Sequence, residues 1–161
     1  MGTHTTHSNE ARLGTTASPA LISTAVVVQA KLAAAWASFS LLYAYVDILH
    51  FYKPGTITDI LAGKVFTFDI SQTFAAAALA SVAIPILMIT ASMTLPARAN
   101  RITNLIMASV QIPYAAFNVA GGEWTYFYGL GVVLEVFLLL FILRYAWTWP
   151  RTRPASTAVA A

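Results

Sequence analysis

The segment "YAYVDILHFYKPG", residues 43–55, places side chains that can exchange protons in a run that is otherwise apolar. Tyr43, Asp47 and His50 are spaced four and three residues apart, so a helix carries all three on one face. A carboxylate exposed to lipid costs on the order of 3 kcal/mol, and this face must therefore point into the protein or toward water. Two interpretations remain open. Asp47 either binds a proton or cation at the mouth of a cavity, with His50 as a relay, or hydrogen-bonds a neighbouring helix.

A second carboxylate, Glu135, lies within "GVVLEVFLLLFIL" and has no basic residue nearby in the sequence. We expect it to be neutral at rest, because apolar surroundings disfavour the charged form. Glu135 is then either structural, with a hydrogen bond to Gln111 that contributes about 1 kcal/mol, or a titrating site that couples proton binding to transport. The place of a carboxylate near the middle of a membrane favours the second interpretation.

Five residues form the candidate site for a proton or a ligand, in two layers. At a rise of about 1.5 Å per residue, Asp47 lies roughly 8 Å below the outer surface, and His50 and Asn118 belong to this outer layer. Glu135 and Gln111 approach the midplane from opposite sides, both at roughly 14 Å, and form a central layer.

The elements that position these residues follow from the composition. Of 161 residues, 58% are hydrophobic and only 9% are charged, with a mean hydropathy of +0.70. These values are wrong for a soluble domain and typical of a membrane protein. The apolar residues form four blocks of about the 20 residues that cross a hydrocarbon core, at Leu32–Tyr52, Phe74–Leu95, Ile102–Ala120 and Tyr126–Ala146. We predict an all-α polytopic membrane protein with four transmembrane helices in an up-down-up-down bundle.

The remaining segments are predicted to be tails and connections. Residues 1–24 and 150–161 are interpreted as disordered cytoplasmic tails that flank a transmembrane domain of residues 25–149. The long outer connection contains enough apolar residues for a short helix or hairpin on the rim of the bundle, with Ser71 as N-cap of the second span. An inner loop of about six residues makes the second and third spans antiparallel neighbours.

The distribution of Lys and Arg residues predicts how the protein is oriented in the membrane and argues against nucleic acid as a partner. The nine Lys and Arg residues are dispersed around helix ends, which argues against nucleic acid. Seven of them fall on one side of the four-span layout, and by the positive-inside rule both termini are cytoplasmic, in a bacterial cytoplasmic membrane. The chain has no cysteine, its histidines are too few for a closed metal site, and it contains no recognisable enzyme motif. We therefore expect no metal, no cofactor and no catalytic residue.

Four stretches, "KLAAAWASFSLLYAYVDILHFYKPG", "IPILMI", "RANRITN" and "RYAWTWP", resemble a family of small bacterial four-helix membrane proteins known as a domain of unknown function. The similarity covers roughly residues 31–150. It matches the family's pattern at Asp47, Arg101, Asn104, Glu135 and Trp149-Pro150. Members often carry an acid where this chain has Ala83, which argues against a three-carboxylate mechanism. The family has no established activity. A looser similarity to DoxX-like four-helix proteins implies a redox-accessory role.

These observations favour two functions. The first is a small transporter of a solute, coupled to protons through Glu135 and Asp47. The alternative is a noncatalytic scaffold or accessory subunit of a larger complex, redox complexes included, in which the polar residues only lock the bundle. Beside the lipid bilayer, a second copy of the chain or another membrane subunit is the expected partner. A membrane enzyme comes third.

Overall fold

The computed structural model describes residues 19–117 and 124–149, with side chains from residue 24 onward. The described chain is largely helical, and its five helices and one two-stranded sheet follow one another along the sequence. They are α1 (Pro19–His50), α2 (Thr56–Leu61), β1 (Lys64–Val65), β2 (Phe68–Asp69), α3 (Gln72–Thr94), α4 (Ala97–Phe117) and α5 (Thr125–Trp147). Of the predicted tails 1–24 and 150–161, residues 1–18 and 150–161 lie outside the described residues, whereas residues 19–24 belong to α1.

Three of the helices are long and apolar enough to cross a membrane, namely residues Thr24–His50 of α1, together with α3 and α5. They are consistent with an integral membrane protein, and each overlaps a predicted span. The 21-residue helix α4 is long enough but falls short in composition, because its sequence includes Arg98, Arg101 and the amides Asn100, Asn104 and Gln111.

Two boundaries differ from the predictions. Helix α1 begins at Pro19, well ahead of the predicted Leu32, and is 32 residues long. Helix α4 begins at Ala97, so only Leu95 and Pro96 separate it from α3, instead of the predicted six-residue loop. Pro96 carries no N–H and suits the start of a helix, where its carbonyl accepts from Asn100 N at 2.9 Å. Asn100 and Arg101 are therefore helical residues.

The connection between α1 and α3 contains both a short helix and a hairpin. Gly55 (φ 90°), the N-cap of α2, and Gly63 (φ 78°), which follows the end of α2, adopt left-handed conformations. The β1–β2 hairpin pairs Lys64 with Asp69, whose side chains form an exposed salt bridge of 2.5 Å. Ser71 is the N-cap of α3 and accepts from Phe74 N at 3.1 Å, which confirms the predicted cap.

The long helices pack unevenly. α1 packs extensively against α3 and α5, and α5 against α4, whereas α3 and α4 contact each other much less. The apolar core lies toward the beginning of α1 and the end of α5, around Leu32, Trp36, Phe39, Leu139 and Ile142. Trp149 closes this core, with 5% of its surface exposed.

Candidate functional site

The long helices divide into two halves with different interiors. We call residues 25–39, 85–94, 97–108 and 139–149 the sealed half, since it contains the core and most buried side chains. We call residues 43–50, 72–81, 114–117 and 125–131 the open half, because only Ala115 and Gly131 are buried among its described residues. Gln111 and Glu135, both buried, lie at the boundary.

The sealed half contains a polar network centred on Asn104. Its Oδ1 accepts from Trp36 Nε1 at 2.7 Å and from Ser92 Oγ at 3.4 Å. Its Nδ2 donates to Asn100 O at 2.9 Å and to Asn100 Oδ1 at 2.6 Å. An asparagine side chain can form about four hydrogen bonds, and Asn104 forms all of them.

Asn100 extends the network to α3, since its Nδ2 donates to the Ser92 carbonyl at 2.6 Å. Trp36, Ser92, Asn100 and Asn104 are all 0% exposed. The network therefore joins α1, α3 and α4 with buried hydrogen bonds where α3 and α4 have little other contact. Its geometry is that of structural glue between helices.

The face of α4 explains why these amides are buried. The buried residues of α4 recur every three or four positions, so they form a single stripe that faces the other helices: Asn100, Asn104, Ala108, Gln111 and Ala115. The stripe consists of three amides and two alanines. Small residues allow close approach, and the amides supply hydrogen bonds in an environment without water.

Glu135 lies at the boundary on the buried stripe of α5 and is 1% exposed. Its Oε2 atom is buried and has no hydrogen-bond partner among the described residues. One turn earlier, Gly131 lets α1 approach closely, because a Cβ there would lie 3.2 Å from Val46 Cγ2. The predicted bond between Glu135 and Gln111 is not present within the described chain, although both side chains are buried.

The open half connects α1, α4 and α3 through hydroxyl groups. Tyr43 and Tyr114 have stacked rings 6.4 Å apart and hydroxyls 3.2 Å apart. Tyr114 donates to Ser81 Oγ at 3.2 Å, and Ser81 donates to the Ala78 carbonyl at 2.7 Å. Tyr114 is nevertheless 38% exposed, so this chain of hydroxyls is accessible from outside the protein.

Asp47 is exposed in the open half. Its carboxyl group is within Coulombic range of Glu135 and of the Tyr43 hydroxyl. Neither Asp47 nor Glu135 forms a salt bridge within the described part of the chain.

His50 has partners other than Asp47. Its Nδ1 shares a hydrogen bond with the Tyr128 hydroxyl, and its ring stacks on Phe66 of the hairpin at 5.1 Å. His50 thus joins α1 to α5 and to the outer connection. Asn118, which was predicted to belong to the same outer layer, lies outside the described residues. No group of three or more His, Cys, Asp or Glu side chains suited to a metal ion occurs in the described ranges.

Sequence reasoning placed Asp47 in an outer polar layer and Glu135 in a central one, and it missed the network around Asn104. Trp36, Ser92 and Asn100 were not candidates, because Trp36 resembles an ordinary core residue and Asn100 was assigned to a loop. The spacing of four between Asn100 and Asn104 was the available signal. It has meaning only once both residues belong to one helix.

Helices of this length and apolar character, with buried amides and the buried carboxyl group of Glu135 between them, are consistent with an integral membrane protein. The family of unknown function DUF6326 matches residues 25–156, and the chain belongs to this family. The predicted membership of an uncharacterised family is thereby confirmed. No curated protein and no solved structure shows significant similarity to the chain.

Proposed function

We propose that α4 also crosses the membrane, which makes the protein a four-span up-down-up-down bundle. The exposed face of α4 supports this proposal, since Ile102, Ile106, Val110 and Phe117 are apolar and exposed. The amides that lower the hydropathy of α4 lie on its buried stripe, and its two arginines lie near its N-terminal end. Such a helix presents an apolar surface to lipid although its average composition is polar.

The proposed orientation has both termini in the cytoplasm of a bacterial cell. Lys31, Arg98, Arg101 and Arg144 lie in the sealed half, and the positive-inside rule assigns this end to the cytoplasm. Reporter fusions at Gly63 and Ala161 test this orientation. We expect a periplasmic signal at Gly63 and a cytoplasmic signal at Ala161, and a periplasmic signal at the second site would contradict it.

We infer that the protein transports a small solute in exchange with, or together with, protons bound at Glu135. The observation that carries this proposal is the buried, unpartnered Oε2 of Glu135 at the boundary of the open half. A buried carboxylate needs a proton, a cation or a hydrogen-bond donor. Because the described chain offers Oε2 no donor, a proton or cation that enters from the open half can meet this need.

The remaining parts of the open half suit this role. Asp47 is exposed, and its charge acts on Glu135. Asp47 can therefore receive a proton from outside, and Glu135 can then bind it. Outside the buried network around Asn104, α3 and α4 contact each other little, so their ends in the open half can move relative to each other. A transporter needs both a site that titrates and helices that move.

A pH-jump experiment on proteoliposomes adsorbed to a solid-supported membrane tests proton binding without a known solute. We expect wild type to give a transient charge displacement and Glu135→Gln to lose most of it, because the amide cannot bind the proton. Asp59→Asn is the control, since Asp59 is an exposed carboxyl in α2. Equal transients in all three proteins would overturn the proposal.

Infrared titration of the carboxyl stretch gives an independent measurement. We expect a band of a protonated carboxyl group that titrates in wild type and is absent from Glu135→Gln. Since Oε2 has no hydrogen-bond partner, the substitution should change the free energy of unfolding by no more than about 1 kcal/mol. If neither measurement changes and a second membrane protein copurifies in fixed stoichiometry, the accessory-subunit function replaces transport.

A further inference from the structure

A groove of about 580 Å³ runs along the outer surface between α4 and α5 in the sealed half. Most of the groove has an apolar lining, with walls formed by Leu105, Leu140 and Leu143. At one end it becomes polar, where Arg144 and Trp147 contribute to the lining. An apolar channel that ends in a cation and an indole ring has the amphipathic character of a phospholipid.

Arg101 lies at this polar end. Arg101, Leu105 and Ser109 are spaced four apart on α4, so they share the face along which the groove runs. The guanidinium carbon of Arg101 is 5.7 Å from the centre of the Trp147 ring. Its Nε atom is buried and has no hydrogen-bond partner among the described residues. A donor of this kind calls for an acceptor that comes from outside the described chain.

Among the described residues, no acidic side chain compensates the positive charge of this end. Arg98, Arg101 and Arg144 lie within the sealed half, and its described residues include no Asp or Glu. Guanidinium groups bind phosphate oxygens through charge-assisted hydrogen bonds. The missing counter-charge is therefore an anion, and the apolar walls beside it favour an anion that carries hydrocarbon chains.

We propose that the groove between α4 and α5 binds an anionic phospholipid. The headgroup phosphate contacts Arg144 beside Trp147, the nearby guanidinium of Arg101 adds positive charge, and an acyl chain lies along Leu105, Leu140 and Leu143. This site is separate from Glu135 and does not depend on the proposed transport. Free phosphate shares the headgroup chemistry but leaves the apolar walls uncovered.

Thermal unfolding of the full-length protein in detergent, with added lipid, tests the site. We expect phosphatidylglycerol to raise the unfolding midpoint in a saturable manner, and phosphatidylcholine or inorganic phosphate to do so much less. Each cation near a membrane surface contributes about 1 kcal/mol to anionic-lipid binding, so Arg144→Gln should weaken the apparent affinity about fivefold. Equal stabilisation by inorganic phosphate would overturn the choice of a lipid.

Lys31→Gln is the matched control. Lys31 belongs to the same half but lies 4.8 Å over the Tyr145 ring and lines a different groove, between α1 and α5. If the site is specific, the affinity of Lys31→Gln stays within about twofold of wild type. Equal losses for both variants would mean that lipid interacts only with a general belt of cations, which contradicts the proposal.

A steric variant keeps the test decisive if Arg144→Gln does not fold. Ser109 is exposed and lines the groove, so Ser109→Phe fills the apolar channel without changing any charge. We expect it to reduce the stabilisation by phosphatidylglycerol at least as much as Arg144→Gln does. Unchanged stabilisation would show that the acyl chain does not occupy this groove.

Discussion

The sealed half and the open half both place polar side chains between helices, but they treat those side chains differently. In the sealed half, Asn104 forms four hydrogen bonds with buried partners. In the open half, Tyr114 bonds to two helices yet stays exposed, and at the boundary Glu135 Oε2 has no partner. The satisfied groups fix the structure, whereas the unsatisfied acid is available for binding.

Residue type follows the same division. Amides, an indole and a serine make up the sealed network, and none of these side chains changes charge near neutral pH. The carboxyls Asp47 and Glu135 and the imidazole His50 belong to the open half and its boundary, and these groups do titrate. Four predictions test whether the two halves differ in energy as they differ in chemistry.

Asn104→Leu should have the largest effect. The substitution leaves Trp36 Nε1 and Asn100 Oδ1 without their partner inside the core. Four hydrogen bonds at about 0.6 kcal/mol each give a lower bound near 2 kcal/mol, and unsatisfied buried groups raise the loss to about 4 kcal/mol. Unfolding by SDS titration measures it. Thr103→Ala on the same helix is the control, and equal losses would show that the network does not stabilise the fold.

Trp36→Phe removes one donor from the same network and keeps an aromatic ring. Asn104 Oδ1 loses its 2.7 Å hydrogen bond but still accepts from Ser92. The edge-to-face contact with Phe39, at 5.9 Å between ring centres, can persist. We expect the free energy of unfolding to fall by about 1–2 kcal/mol, less than for Asn104→Leu. A loss as large as that of Asn104→Leu would mean that ring volume, not the hydrogen bond, dominates.

The sequence predicted the apolar helices well and the network poorly, for physical reasons. Runs of about 20 apolar residues are local signals, so the ends of α1, α3 and α5 were located within a few residues, except for the start of α1. The arginines in "PARANR", residues 96–101, suggested a loop between the second and third spans. They belong instead to the first turns of α4, whose opposite face is buried. That misassignment hid Asn100.

The site was predictable only in part. Glu135 was expected inside the bundle because its neighbours are apolar, and it is buried. The contact between Trp36 and Asn104 joins residues 68 positions apart, and no local pattern pairs them. The partners of His50, Tyr128 and Phe66, come from a helix and a hairpin whose relative placement the sequence alone does not specify. Packing decides such pairs.

Substitution of Gly131 tests how closely α1 and α5 pack at the boundary between the two halves. Alanine normally stabilises a helix by up to about 1 kcal/mol relative to glycine. At Gly129 an added Cβ meets nothing within 4 Å, whereas at Gly131 it would lie 3.2 Å from Val46 Cγ2. We expect Gly129→Ala to be more favourable than Gly131→Ala by about 1 kcal/mol. In a Val46→Ala background this difference should disappear, and a difference that persists would exclude the α1–α5 contact as its cause.

Tyr114→Phe should have the smallest effect, and it is the counterpart of Trp36→Phe. Both substitutions remove one polar hydrogen-bonding group from an aromatic side chain that joins helices. Tyr114 loses its bonds with Tyr43 and Ser81, but its position is accessible, so these hydroxyls can bond to water or lipid headgroups instead. Desolvation makes a lost hydrogen bond costly, and an exposed hydroxyl is little desolvated. We therefore expect the free energy of unfolding in SDS to change by less than about 0.5 kcal/mol, with the stacked Tyr43 ring still in contact. If Tyr114→Phe were as destabilising as Trp36→Phe, the open half would be held together like the sealed half, and Glu135 would be enclosed on both sides.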